Sequence, residues 1–124
     1  MKNIYSNIFK VNNNNLSKAI NHLKEKELVG VPTETVYGLA GNAYSSKVVK
    51  KIYTLKKRPI KNPLIIHYHS LKQLKKDAEL NTNFFKLYKK FSPGPITFVL
   101  KKKKNTLLSN VATANLKTIA VRFP

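Results

Sequence analysis

The sequence predicts an α/β domain built on a mixed sheet. Short β-branched runs alternate with stretches of helical periodicity through the first two thirds of the chain. Two further strand-like runs near the end, over Ile96–Leu100 and Thr118–Phe123, read as an antiparallel pair. At 124 residues with 42% hydrophobic and 10% aromatic side chains, the chain is sized for one domain over residues 1–124 and has enough apolar material for a core.

An opening strand is expected over Ile4–Val11, followed by the Asn12–Asn15 run as loop and helix start. Leu16, Ala19, Ile20 and Leu23 then recur at the spacing of one helix face, with Asn15 as the candidate N-cap. His22 falls off that stripe and is expected at the surface. Leu28–Val31 reads as a short buried strand stopped by Pro32, and the hydroxyl- and glycine-dense segment after it is the first candidate site.

A second helix is expected from Ser46, with Val48, Val49, Ile52, Tyr53 and Leu55 turned inward, ending in Lys56-Lys57-Arg58 before Pro59. Pro63–Tyr68 gives the next strand, and Leu71, Leu74 and Ala78 a short helix. Over residues 82–91, Phe84, Phe85, Leu87, Tyr88 and Phe91 form an aromatic stripe that belongs in a core. Ser92-Pro93-Gly94-Pro95 is a rigid turn into Ile96–Leu100, Lys101–Lys104 a solvated hairpin turn, and Thr118–Phe123 the final strand. The chain stops just after that strand with no closing helix, which reads as the loss of a C-terminal part.

Charge narrows the function classes. The 24 Lys and Arg against 5 Asp and Glu give a formal net charge of +19, which suits an anionic partner such as a nucleic acid, a nucleotide or a membrane surface. Only two of the 24 are Arg, and Asn occurs 14 times, a skew that AT-rich codons alone would produce. Against that bias, Arg58 and Arg122 stand out as positions where a planar fork is needed rather than a point charge. The absence of Cys excludes disulfides, thiolate metal sites and a cysteine nucleophile. The N-terminal residues lack the apolar run of a signal peptide, and no apolar stretch approaches the ~18 residues of a membrane span, so a cytoplasmic protein without membrane contact is expected.

The four glycines form neither of the usual phosphate-cradling loops, so phosphate would be held by side chains. Lys56, Lys57, Arg58 and Lys61 supply four cations within six positions, beside the amide of Asn62. His67 and His69 share a strand face but have no third ligand nearby, so no metal site is assigned; His67 suits a carboxylate contact or proton shuttle. Asp77, the sole Asp, falls on a helix expected at the surface, which removes any Ser-His-Asp pattern. Thr33, Glu34 and Thr35 follow a strand end, where α/β sheets place ligand groups or simply turn. The residues by themselves indicate a cationic cleft for a phosphorylated ligand.

Taken together, Pro32-Thr33-Glu34-Thr35-Val36-Tyr37-Gly38-Leu39, Lys56-Lys57-Arg58-Pro59-Ile60-Lys61-Asn62-Pro63-Leu64 with His67, Ser92-Pro93-Gly94-Pro95-Ile96-Thr97, and Thr118-Ile119-Ala120-Val121-Arg122 resemble the YrdC-like family of threonylcarbamoyl-AMP synthases. The resemblance implies a twisted mixed sheet with flanking helices and a concave basic surface. It implies formation of threonylcarbamoyl-AMP from L-threonine, bicarbonate and ATP with Mg²⁺, releasing pyrophosphate, for threonylcarbamoyladenosine in tRNA. Implied partners are tRNA or double-stranded RNA and the proteins that transfer the group to tRNA. By motif, Thr35, His67 and Arg122 would bind L-threonine, and Lys56, Arg58, Asn62 and Thr118 would bind ATP, with catalysis by positioning and electrostatics and no covalent nucleophile. Family members continue past the Arg-containing strand into a Ser-Ala-Asn segment that this sequence lacks. The alternatives are a non-catalytic RNA-binding remnant and the product of a shortened reading frame.

Overall fold

The structure, a computed structural model, describes Asn3 and residues 5–124. Its helices are α1 (Asn13–Lys24), α2 (Ser46–Leu55), α3 (Leu71–Asp77) and α4 (Thr82–Phe91). Its strands are β1 (Val29–Pro32), β2 (Tyr37–Ala40), β3 (Ile65–His67), β4 (Phe98–Lys101) and β5 (Thr118–Arg122). The strands β1 and β2 form an antiparallel hairpin, and the other three form a sheet of order β3-β5-β4. That sheet is mixed as expected, because β3 runs parallel to β5 while β4 runs antiparallel to it.

Local chemistry sets the helix starts. A side-chain oxygen of Asn12, Ser45, Ser70 or Asn81 accepts an N–H in the first turn of each helix, satisfying a donor that the helix itself leaves unpaired. The cap of α1 is therefore Asn12, not Asn15; Asn15 instead donates its backbone N–H to the Asn12 side chain. The helix α2 ends at Leu55, before Pro59, through left-handed Lys57 (φ 49°).

Alternation within the strands divides the mixed sheet into two faces. Ile66, Phe98, Leu100, Ile119 and Val121 point into the core, where Val49 and Tyr53 of α2, Leu74 of α3 and Phe84 of α4 meet them. Ile65 and His67, Val99 and Lys101, and Thr118, Ala120 and Arg122 occupy the opposite face, which carries the candidate positions His67, Thr118 and Arg122. Gly41 lets α2 approach the end of the β1–β2 hairpin. A Cβ there would stand 2.6 Å from Val48 Cγ1 and 2.8 Å from Leu28 Cδ2. Gly41→Ala is expected to lose about 1–3 kcal/mol in urea denaturation, the usual cost of overpacking.

Several expectations are corrected. Tyr5–Val11 contains turns and irregular chain instead of an opening strand, and Ile4 lies outside the described residues. The Leu28–Val31 strand appears as β1 but alternates half-buried with exposed residues, because its hairpin is covered on one side only. The stripe of α1 includes no buried residue, Leu55 is 67% exposed, and Phe84 is the only residue of α4 that is buried. Amphipathic spacing identified these helices correctly, but overstated how much of each stripe is covered. Lys101–Lys104 is no tight hairpin turn: Lys101 ends β4, and residues 102–117 form a long connection tied down by Lys102, whose ammonium donates to Asn110 and Thr113.

Candidate active-site cleft

The parallel register of β3 and β5 sets His67 beside Arg122, and the antiparallel register of β4 brings Thr97, one residue before that strand, to the other side. Arg122 Nε and Nη2 both donate to Thr97 Oγ1, at 3.1 and 2.8 Å. Arg122 Nη1 donates to Glu34 Oε1 at 2.8 Å and to Thr35 Oγ1 at 3.3 Å. Glu34 and Thr35 reach it from the turn joining β1 and β2. Thr33 shapes that turn, since its hydroxyl oxygen accepts the Thr35 and Val36 N–H groups and its hydroxyl donates to the Val36 carbonyl. Three segments far apart in sequence thus converge on one guanidinium.

Thr33, Thr35, His67 and Arg122 line a cleft of about 1130 Å³ together with Lys56, Arg58, Tyr44, Tyr68 and Asp77. Arg58 is braced by its own loop: Nε donates to the Asn62 carbonyl at 3.2 Å and Nη2 to the Pro63 carbonyl at 2.8 Å. Tyr53 adds a hydroxyl to the same Asn62 carbonyl at 2.8 Å. Two of the five guanidinium hydrogens of Arg58 are used in this way, which leaves three for an anion. Asn62 is exposed and does not line the cleft, and its carbonyl shapes the basic loop. Thr118 is also outside the cleft lining, paired with Lys101 at the far end of β5, about 13 Å from Arg122 along the strand.

The expectation for Asp77 is overturned. It is 2% exposed and accepts hydroxyl hydrogens from Tyr44 at 2.6 Å, Tyr68 at 2.8 Å and Thr106 at 2.5 Å. The Lys-rich sequence around it resembles a solvated helix, and its partners at positions 44 and 106 are too distant in sequence to signal burial. Thr97 falls within the strand expected over Ile96–Leu100, and nothing in the sequence marks it as a partner of Arg122. His69 hydrogen-bonds Gln73, and His22 hydrogen-bonds Glu27 at the surface.

Burial lowers the pKa of His67 below its usual 6.5 and the Arg122 charge adds to that, while Glu34 opposes it. The imidazole is therefore neutral at neutral pH. A depressed folded pKa means that its contribution is intact above pH 6.5 and is lost as pH falls through the folded value. His67→Gln is expected to reduce the fall in urea midpoint between about pH 7 and about pH 5.

The sequence pattern of the Sua5/YciO/YrdC family, described as "Telomere recombination", matches residues 21–124. The chain belongs to this family. It is 46% identical over 107 residues to a threonylcarbamoyl-AMP synthase of Pyrococcus abyssi, covering 86% of this chain and 31% of that protein. The Bacillus subtilis threonylcarbamoyl-AMP synthase is 43% identical over 114 residues, covering 91% and 33%. The chain therefore spans about a third of the length of these family members. Among solved structures, Pyrococcus abyssi Sua5 complexed with L-threonine superposes with a TM-score of 0.87 at 42% identity, covering 94% of this chain and 34% of that one. The Escherichia coli YciO structure, with a TM-score of 0.79 at 21% identity over 93% and 55%, shares the fold. Among the described residues, no helix of this family member is long and apolar enough to cross a membrane.

Proposed function

We propose that this chain binds L-threonine at Arg122 and ATP along the basic loop, and contributes to forming threonylcarbamoyl-AMP. The observation that carries the proposal is the convergence of Thr35, His67 and Arg122 in a cleft that Lys56 and Arg58 also line. The relatives' shared name and the Sua5 complex with L-threonine support the same substrate. Arg122 would pair with the amino-acid carboxylate, held by Thr97, with Thr35 and neutral His67 as further polar contacts.

In this reading the threonine amine captures the carbon of bicarbonate with loss of water. An oxygen of the resulting carbamate attacks the α-phosphorus of ATP, the bond from that phosphorus to the bridging oxygen breaks, and pyrophosphate leaves. Lys56 and Arg58 would neutralise the triphosphate during this in-line displacement, and Asn62 and Thr118 would contact the nucleotide further out. Asp77, the acidic side chain that lines the cleft, is taken up by three hydroxyls, so Mg²⁺ would enter with the nucleotide phosphates. The product would pass to proteins that transfer the group to tRNA.

The test is formation of labelled threonylcarbamoyl-AMP from labelled bicarbonate, L-threonine and MgATP by the folded chain. Product that disappears when any one substrate is omitted is expected, and a folded chain giving none would overturn the synthase reading. The net charge of +19 favours a second reading, RNA binding. Affinity for tRNA should then fall steeply with added salt, and a salt-independent affinity would reject it.

A further inference from the structure

Arg122 has almost no free donor. Of its five N–H groups, Nε–H and one on Nη2 serve Thr97, and Nη1 faces two acceptors, Glu34 Oε1 and Thr35 Oγ1. One Nη2 hydrogen is left. Thr97 holds the side-on pair, Nε and Nη2, so a carboxylate gripping the fork bidentately is left the end-on mode, which needs one hydrogen from each of Nη1 and Nη2. It must therefore take an Nη1 hydrogen from an acceptor already in place.

Glu34 is the acceptor whose displacement is most costly, and also the one able to recover that cost. Its side chain and that of Arg122 are 18% and 17% exposed, so the pair is largely removed from water. A second carboxylate arriving there without a compensating cation would face repulsion at low local dielectric. The acidic side chain that lines the cleft, Asp77, already accepts three hydroxyl hydrogens, so Glu34, held against Arg122, is the carboxylate left to meet a cation there. Glu34 Oε2 takes no hydrogen bond among the described residues, and so has room for a cationic donor.

We infer that Glu34 is the counter-charge that selects an α-amino acid here: the ligand carboxylate takes the Nη1 hydrogen that Glu34 now holds, and Glu34 accepts the ligand's α-ammonium. The inference rests on the reading that an amino acid binds at Arg122. The resting Arg122–Glu34 pair thereby becomes a four-group ring, in which each charge of the zwitterion meets its opposite. A simple hydroxy acid would supply the carboxylate but leave Glu34 unpaired, so the site would discriminate by charge pattern rather than by shape.

The test is calorimetric titration with L-threonine and with 3-hydroxybutyrate, which lacks only the α-ammonium, on the wild-type chain and on Glu34→Gln. The wild type is expected to prefer threonine by at least about 10-fold, the effect of one hydrogen bond to a charged group. Glu34→Gln should weaken threonine about 10-fold while leaving 3-hydroxybutyrate unchanged or tighter. Equal binding of the two ligands by the wild type would overturn the inference without any variant. So would a Glu34→Gln chain, shown folded by circular dichroism, that loses both ligands equally, since Glu34 would then only brace Arg122; unchanged threonine binding in that chain would overturn it too. A wild type that binds no threonine would overturn the underlying reading and the inference with it.

Discussion

Arg122→Ala is expected to weaken L-threonine binding by about 100-fold or more, the loss of two charge-assisted hydrogen bonds at about 1.5–3 kcal/mol each. Stability should change far less, because residues 34–37 of the turn that carries Glu34 are exposed, and the carboxylate uncovered by the substitution can swing into water. Arg122→Lys separates charge from shape. A lysine retains the positive charge but cannot hold Thr97 Oγ1 with two donors while presenting others to Glu34, Thr35 and a ligand. Threonine affinity about 10-fold or more below wild type is expected for Arg122→Lys in calorimetric titration. Wild-type affinity in either variant would remove Arg122 from the site.

Asp77→Ala is expected to cause the largest loss of stability, about 3–5 kcal/mol in urea denaturation. The substitution removes the shared acceptor of three hydroxyls and leaves the nearly buried Tyr68 hydroxyl without a partner. Asp77→Asn should cost less, because one side-chain oxygen remains to accept. The network also has a high-pH signature. Burial first, and then the Asp77 carboxylate, raise Tyr44 to about 12, and the same causes raise Tyr68 further. A raised folded pKa means that this stability is intact below pH 10 and is lost as pH rises from there through about 12. In Asp77→Asn, tyrosinate absorbance should develop at lower pH than in the wild type.

Local order was legible in the sequence, and long-range partnership was not. Ser45, Ser70 and Asn81 stand directly before periodic runs, and α2, α3 and α4 begin there. The turn at Ser92–Pro95 and the antiparallel placement of β4 on β5 were also readable from residue type. The hairpin of β1 and β2 was obscured because Pro32-Thr33-Glu34-Thr35 looks like punctuation rather than a strand-to-strand turn. Aromatic spacing in α4 could not show that Phe85, Leu87 and Phe91 stay exposed, because coverage depends on neighbouring elements. The role of Asp77 depends on Tyr44 and Thr106, 33 and 29 positions away.

Within the candidate site, rarity carried the clearest signal. Arg58 and Arg122, the two arginines of a lysine-rich chain, are both held by several hydrogen bonds, as the need for a planar fork implies. Thr35, His67, Lys56 and these two arginines all line the cleft, whereas Asn62 and Thr118 stand outside it. The amide of Asn62 stands beside the basic run in sequence, which does not show that its carbonyl braces the loop while its residue stays outside the cleft, and motif order says nothing of how far along β5 Thr118 sits from Arg122.

Calorimetric titration of the 124-residue chain with L-threonine tests whether the cleft at Arg122 is an amino-acid site. Saturable binding of one threonine per chain, lost in Arg122→Ala, is expected. A folded chain that takes up no heat specific to threonine, or that binds equally well without Arg122, would contradict it.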